Sequence, residues 1–218
     1  MKLLTIDSTL NKLYIALGDG SFFESKIIMS DETKYHSAYI ASNIAQLLKK
    51  YNLEVKNIDA VAVNIGPGSF TGIRVGMTVA RVLAQAHNLK AVGISSLEVL
   101  SALNNSEIPS LVLMDARKGK AYAGIFGEEQ LEPCAVELEK ALELAKSGKY
   151  FVIADKNMTK LLQENDFEAL NYEESQEDLG KCLFEIANLK LKSNDDFNWA
   201  KLKPLYIQPP PISMPKKK

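Results

Sequence analysis

The chain has 218 residues, 46% of them apolar, and a formal net charge of −1. That balance excludes a disordered chain and gives no electrostatic surplus for nucleic acid, while the length suffices for a substantial core in one domain or two small lobes. Cys134 and Cys182 are lone and far apart, which excludes a disulfide framework or a zinc knuckle. An acid arrives at Asp7, too soon for a signal peptide, and no apolar run approaches the length of a membrane span, so a cytoplasmic protein is expected.

Strands are expected at 3–6, 13–17 and 22–28, with Gly18-Asp19-Gly20 as the turn between the last two. A helix is expected at 36–51, where Ile40, Ile44, Leu47, Leu48 and Tyr51 recur at helical spacing. A strand at 59–64, a helix at 75–87, a strand at 91–94 and a helix at 97–103 follow, the last capped by Ser95-Ser96. Three meandering strands followed by two crossover units describe a mixed sheet with helices on its faces, the ribonuclease-H-like, actin-type order of an α/β protein.

A second, leaner half follows the turn Asn104-Asn105-Ser106. Strands are expected at 110–114, 120–126 and 150–154, and helices at 136–147, 158–164 and 177–189. Each half opens with an apolar strand ending in an acid, Asp7 and Asp115, which hints at a duplicated topology. The organisation expected is a lobe at 1–104, a smaller lobe at 105–203 and an extended Pro/Lys tail at 204–218.

The most distinctive stretch is 64–76, a Gly-rich turn between an apolar strand and a helix-forming run. Gly66, Pro67, Gly68, Ser69, Phe70, Thr71, Gly72 and Arg74 are its candidate binding residues, for a nucleotide or for another protein. A plain strand-to-helix connection is the simpler reading. Ser69 or Thr71 is the expected helix cap. No Lys follows the glycines as a Walker loop requires, and Thr71 occupies the sixth position where a dinucleotide fingerprint requires glycine. Only three arginines occur, and Arg74 and Arg81 fall in or just after this stretch, with Arg117 in the second half.

His36 and His87 are the only histidines and lie on different elements, so neither a His-x-x-x-His metal site nor a Ser-His or Cys-His nucleophile pair is expected. No catalytic residue is assigned. Asp7, Ser8 and Thr9 at the end of the first strand are candidates for a vestigial phosphate site, with a magnesium-bound phosphate as the chemistry such acids serve. Gly72, Gly76, Ala80 and Ala84 form a small-residue stripe along the second helix. It fits packing on the helix at 36–51 or a subunit interface built from Ile40, Ile44, Ile73, Gly76, Met77, Ala80 and Ala84, and the pattern alone does not choose.

The run Gly66-Pro67-Gly68-Ser69-Phe70-Thr71-Gly72-Ile73-Arg74-Val75-Gly76, after an Ala-Val-Ala-Val strand, resembles the signature of the TsaB (YeaZ) family. The likeness extends to Leu4-Thr5-Ile6-Asp7, His36-Ser37-Ala38, Gly93-Ile94-Ser95-Ser96-Leu97, Asp115-Ala116-Arg117 with Tyr122, and Pro204-Leu205-Tyr206-Ile207. Asp7-Ser8-Thr9 departs from the family's Asp-Thr-Ser, and Gln208 stands where the family carries Arg. The resemblance implies an actin-like/ribonuclease-H-like (ASKHA) fold of two lobes, the second reduced. It also implies a non-catalytic scaffold that pairs with TsaD, joined by the ATPase TsaE, for threonylcarbamoyl transfer to the adenosine beside the anticodon of ANN-decoding tRNAs. It further implies contact through the two N-terminal helices, a homodimer when TsaD is absent, and tRNA held mainly by the partners. No cofactor of its own is implied beyond weak nucleotide binding, with ATP used by partner subunits. The alternative is a stand-alone actin-type ATPase or peptidase.

Overall fold

The computed structural model describes residues 1–29, 39–193 and 195–208. The expected helix start at His36-Ser37-Ala38, the three prolines after Gln208 and the closing lysines lie outside the described residues.

The first half runs β1 (Leu3–Asp7), β2 (Lys12–Gly18), β3 (Phe23–Met29), α1 (Ile40–Lys50), β4 (Ala60–Asn64), α2 (Phe70–His87), β5 (Lys90–Ile94) and α3 (Ser96–Ser101). Its sheet has the order β3-β2-β1-β4-β5, antiparallel across β1, β2 and β3 and parallel across β1, β4 and β5. β4, Ala-Val-Ala-Val-Asn, is buried throughout, as a central parallel strand covered on both faces must be.

The second half repeats this order element for element: β6 (Ser110–Arg117), β7 (Lys120–Phe126), β8 (Leu131–Glu137), α4 (Leu138–Lys146), β9 (Phe151–Ala154), α5 (Lys156–Gln163), β10 (Leu170–Asn171) and α6 (Leu179–Lys190). Its sheet is β10-β9-β6-β7-β8, with parallel strands of only four and two residues at one side. The duplication hinted at by Asp7 and Asp115 is thus present in the topology, and the fold is the actin-type, ribonuclease-H-like arrangement.

The two halves interlock. α6 belongs in sequence to the second half but packs on β1, β2, β4 and β5 of the first sheet, while α3 packs on β6 and β7 of the second. Leu3, Ala60, Val92 and Ile94 therefore share one buried cluster with Leu97, Leu100, Val112, Ile153, Leu183 and Ala187. Helices α1 and α2 cover the outer face of the first sheet, and α4 and α5 the outer face of the second.

Three expectations change. α2 begins at Phe70 rather than 75, because Ser69 caps it by accepting from Gly72 N at 3.1 Å, so five residues read as loop form its first turn. β8 was not expected: Pro133 and its interspersed acids mask the strand pattern, and the proline is tolerated because β8 is an edge strand paired only with β7. The two-residue β10 is too short to leave a period in the sequence.

Candidate functional site: the Gly-rich loop and its anchors

The loop between β4 and α2 divides into a buried base and an exposed tip. Gly66 and Pro67 are buried, whereas Gly68, Ser69, Phe70, Thr71 and Arg74 are exposed. The base is held by Asn64, the last residue of β4. Its Oδ1 accepts from Gly66 N at 2.9 Å and from Ser96 Oγ at 2.8 Å, and its Nδ2 donates to Asp7 Oδ2 at 2.8 Å. Ser96 N in turn donates to Gly66 O at 2.9 Å. One amide thereby ties together the ends of β1 and β4, the loop and the start of α3.

Asp7, Ser8 and Thr9 meet this loop from below. Asp7 Oδ1 accepts from Thr9 N at 2.8 Å, Thr9 O accepts from Ser69 N at 2.9 Å, Thr9 Oγ1 donates to Asn64 O at 3.2 Å, and Ser8 Oγ donates to Gly72 O at 2.8 Å. The three residues are 0%, 4% and 2% exposed. Their polar groups are engaged inside the chain, not displayed to a ligand. Burial pushes the Asp7 carboxyl from 3.8 up to about 6, against the lowering pull of its Asn64 and backbone hydrogen bonds.

The candidate interface residues are also turned inward. Ile40, Ile44, Ile73, Met77, Ala80 and Ala84 share one buried cluster with Leu4, Ile6, Val61 and Val63 of the first sheet. A Cβ on Gly76 would lie 2.7 Å from Ser8 Oγ and 3.3 Å from Val63 Cγ2, and one on Gly72 would lie 1.8 Å from Ser8 O. Gly72 and Gly76 thus seat the start of α2 on β1, β4 and the turn after β1, while Ala80 and Ala84 are buried in the cluster that also holds Ile40 and Ile44 of α1.

Leu10, Tyr14, Met114 and Tyr172 are each 3–7% exposed and belong to the one cluster shared by the two sheets. Beyond them, Asp115 repeats the geometry of Asp7: its Oδ1 accepts from Arg117 N at 2.7 Å, two residues on, and its Oδ2 accepts from Asn157 Nδ2 at 2.9 Å. Burial raises the Asp155 carboxyl, which accepts from Asp115 N and Met158 N. Among the described residues no group of three His, Cys, Asp or Glu is placed to hold a metal ion, and no helix of theirs is long and apolar enough to cross a membrane.

Sequence reasoning missed the chain's own C-terminal segment as part of the site. Leu205 N donates to Ile65 O at 2.9 Å, the Tyr206 ring lies 5.3 Å from that of Phe70, and the Arg74 guanidinium sits 5.1 Å from the Phe70 ring. Phe197 O accepts from Ala91 N on the β5 edge, and Leu202 joins the core beneath. Asn64 and Ser96 were missed as hubs. A polar residue closing an otherwise fully apolar strand is the signal that pointed to Asn64.

Residues 27–184, more than half of the chain, match the family model described as TsaD, tRNA N6-adenosine threonylcarbamoyltransferase. The tRNA threonylcarbamoyladenosine biosynthesis protein TsaB of Bacillus subtilis is 33% identical over 131 residues, 58% of this chain and 55% of that protein. TsaB of Escherichia coli is 28% identical over 125 residues, 56% of this chain and 53% of that one. The chain spans about half the length of the curated relatives it matches. In three dimensions, YeaZ from Pseudomonas aeruginosa aligns with a TM-score of 0.77 over 94% of this chain and 99% of that chain at 18% identity, which shows a shared fold. With the Gly-rich signature seated between β4 and α2 of that fold, the chain belongs to the TsaB (YeaZ) family of TsaD-type proteins.

Proposed function

We propose that this chain is a non-catalytic scaffolding and activating subunit that pairs with TsaD, together with TsaE, for threonylcarbamoyl transfer to the adenosine beside the anticodon of ANN-decoding tRNAs. The observation that carries this reading is the engagement of Asp7, the acid that ends β1, inside the chain. Asp7 is 0% exposed and accepts from Asn64 Nδ2 and Thr9 N, and Leu10, Tyr14, Met114 and Tyr172 are packed in the cluster shared by the two sheets. An actin-type frame whose strand-end acid is turned inward suits positioning of a partner better than turnover. In this reading the chain acts in the cytoplasm, requires no cofactor of its own, and leaves ATP use and most tRNA contact to its partners. The partner is met through the helical layer of the first lobe, on the side of α1 and α2 away from the sheet.

The test is co-purification with TsaD of the same organism, followed by formation of threonylcarbamoyladenosine on unmodified tRNA with and without this chain. Modification that requires the pair, with this chain inert alone, supports the reading. Turnover of ATP or cleavage of a peptide by the chain alone overturns it in favour of a stand-alone enzyme.

A further inference from the structure

β5 is an edge strand of the first sheet, and its outer edge is covered at one end only. Lys90 N donates to Asp59 O and Ile94 O accepts from Ile65 N, so the alternate residues Ala91 and Gly93 turn their backbone groups away from β4. Ala91 N donates to Phe197 O at 2.8 Å, whereas Gly93 N and O have no backbone partner among the described residues. The C-terminal segment passes on to the loop base, where Leu205 N bonds to Ile65 O.

Gly93 lies between two cavities. One, of about 520 Å3, separates it from the β7–β8 hairpin, with Ile65, Ile125, Leu131 and Leu205 as its apolar wall. The other, of about 240 Å3, lies beside Ala91, Phe197 and Leu202. The larger has the size of a ligand pocket, and its charge is acidic. Of the three charged residues that line it, Lys190 is paired with Glu98 at 2.8 Å, and Glu132 forms no ion pair among the described residues. The adjoining turn adds Glu128 and Glu129.

We infer that the open edge of β5 at Gly93, with the cavity between the lobes, is a docking groove for an extended segment of a partner protein that sets an apolar residue opposite Gly93 and a Lys or Arg on each side of it. A strand added to a sheet edge exchanges N–H and C=O groups with it and takes its specificity from alternate side chains. Val92 and Ile94 point into the core shared by the two sheets, while Ala91 belongs to the outer cluster. A residue opposite Gly93 therefore lies on the outer side. There it meets Ile65 and Leu202, whose Cγ2 and Cδ1 atoms stand 2.7 and 3.1 Å from where a Cβ on Gly93 would be. Its two neighbours point the other way, towards α3 and the hairpin, where Glu98 and Glu132 supply the opposite charge. The same acids repel a phosphate backbone, which favours protein over RNA as the occupant. A free polyamine would satisfy the acids but leave Gly93 unpaired and the apolar wall uncovered. The groove uses neither α1 nor α2, so it stands or falls apart from the pairing proposed above.

The test uses the intact chain, labelled with nitrogen-15, and the peptides acetyl-Thr-Lys-Val-Arg-Thr-amide and acetyl-Thr-Glu-Val-Glu-Thr-amide. Without peptide, the Gly93 amide should exchange with solvent at least about tenfold faster than that of Ile94, which faces β4. The basic peptide should slow Gly93 exchange saturably and shift the amides of Leu131 and Glu132. The acidic peptide should do neither, and aspartate in place of the central valine should abolish the protection. Glu132→Lys, a change at an exposed residue checked by thermal melts, should weaken the basic peptide about tenfold at about 0.1 M salt and less at about 0.5 M. No protection at millimolar basic peptide, or equal protection by the acidic one, overturns the groove. Shifts at Glu132 that spermidine reproduces in full, with Gly93 exchange left fast by the peptide, mark a simple cation site and overturn it too. A Gly93 amide already protected in the free chain overturns it as well, and release of that protection on removing residues 209–218 would make the chain's own tail the occupant.

Discussion

Asp7 is a buried carboxylate whose partners are all internal, and this governs what its substitution can report. Its unfolded value is 3.8 and its folded value about 6, so over that window the folded chain holds the proton more tightly than the unfolded one. Stability contributed by this group therefore falls as pH rises from 3.8 to about 6. The penalty is absent below that window and complete above it, on the order of 3 kcal/mol. Asp7→Asn should remove this slope, read as the difference in melting temperature between variant and wild type from about pH 4 to about pH 7. The variant is not silent in other respects. Asn64 Nδ2 and Thr9 N both donate to Asp7, so an amide at position 7 must turn its own donor towards one of them. A buried donor facing a donor costs about 1–3 kcal/mol. At neutral pH this cost is set against the ionisation penalty of about 3 kcal/mol that the variant no longer carries. Asp7→Asn should therefore be no less stable than wild type there and less stable below about pH 4. Because it disturbs the hydrogen bonds that hold the loop base, loss of function in this variant is no sign of an ATPase. A pH slope unchanged from wild type would show that Asp7 is not the titrating group.

At the scale of the element, α2 shows which parts of a helix a sequence discloses. Its apolar and small residues are evident from spacing, but Gly76 faces Val63 and Ile6 of the sheet, and nothing in a stripe of small residues says which neighbour comes close. Its start was hidden because glycine and proline before Ser69 read as loop, although the cap itself was foreseen as Ser69 or Thr71. The decisive fact is three-dimensional: the turn after β1 passes directly beneath Gly72. A Cβ there meets Ser8 O, a backbone atom with no rotamer by which to move aside. Gly72→Ala should therefore cost more than the about 1–3 kcal/mol usual for overpacking, and should lift the first turn of α2 from β1. Gly20→Ala, where nothing lies within 4 Å, should stay within about 0.5 kcal/mol. Urea midpoints of the two variants check the pair. Equal midpoints would mean that the turn after β1 gives way freely.

For the whole molecule, the repeat was legible in the sequence but the interlocking was not. Asp7 and Asp115 mark equivalent strand ends, yet the amphipathic pattern of α6 says only that one face is buried, not that the face belongs to the other half. Because α6 lies on the first sheet and α3 on the second, the boundary near residue 104 separates strands without separating cores. Removing 105–218 would uncover the inner side of the first sheet, including Leu3, Ala60, Ala62, Val92 and Ile94, all now 6% exposed or less. A contiguous apolar face of that kind binds dyes and associates. Residues 1–104 alone should therefore be insoluble or bind a hydrophobic dye, and should recover native far-UV and near-UV signals when refolded with 105–218. The intact chain should unfold in one transition, with calorimetric and van't Hoff enthalpies equal. If 1–104 instead melts cooperatively by itself, or the intact chain shows two resolved transitions, the shared core contributes little and each lobe stands on its outer helices. Equal enthalpies together with an unfolded 1–104 would establish that α6 is as much a part of the first lobe as α1 and α2.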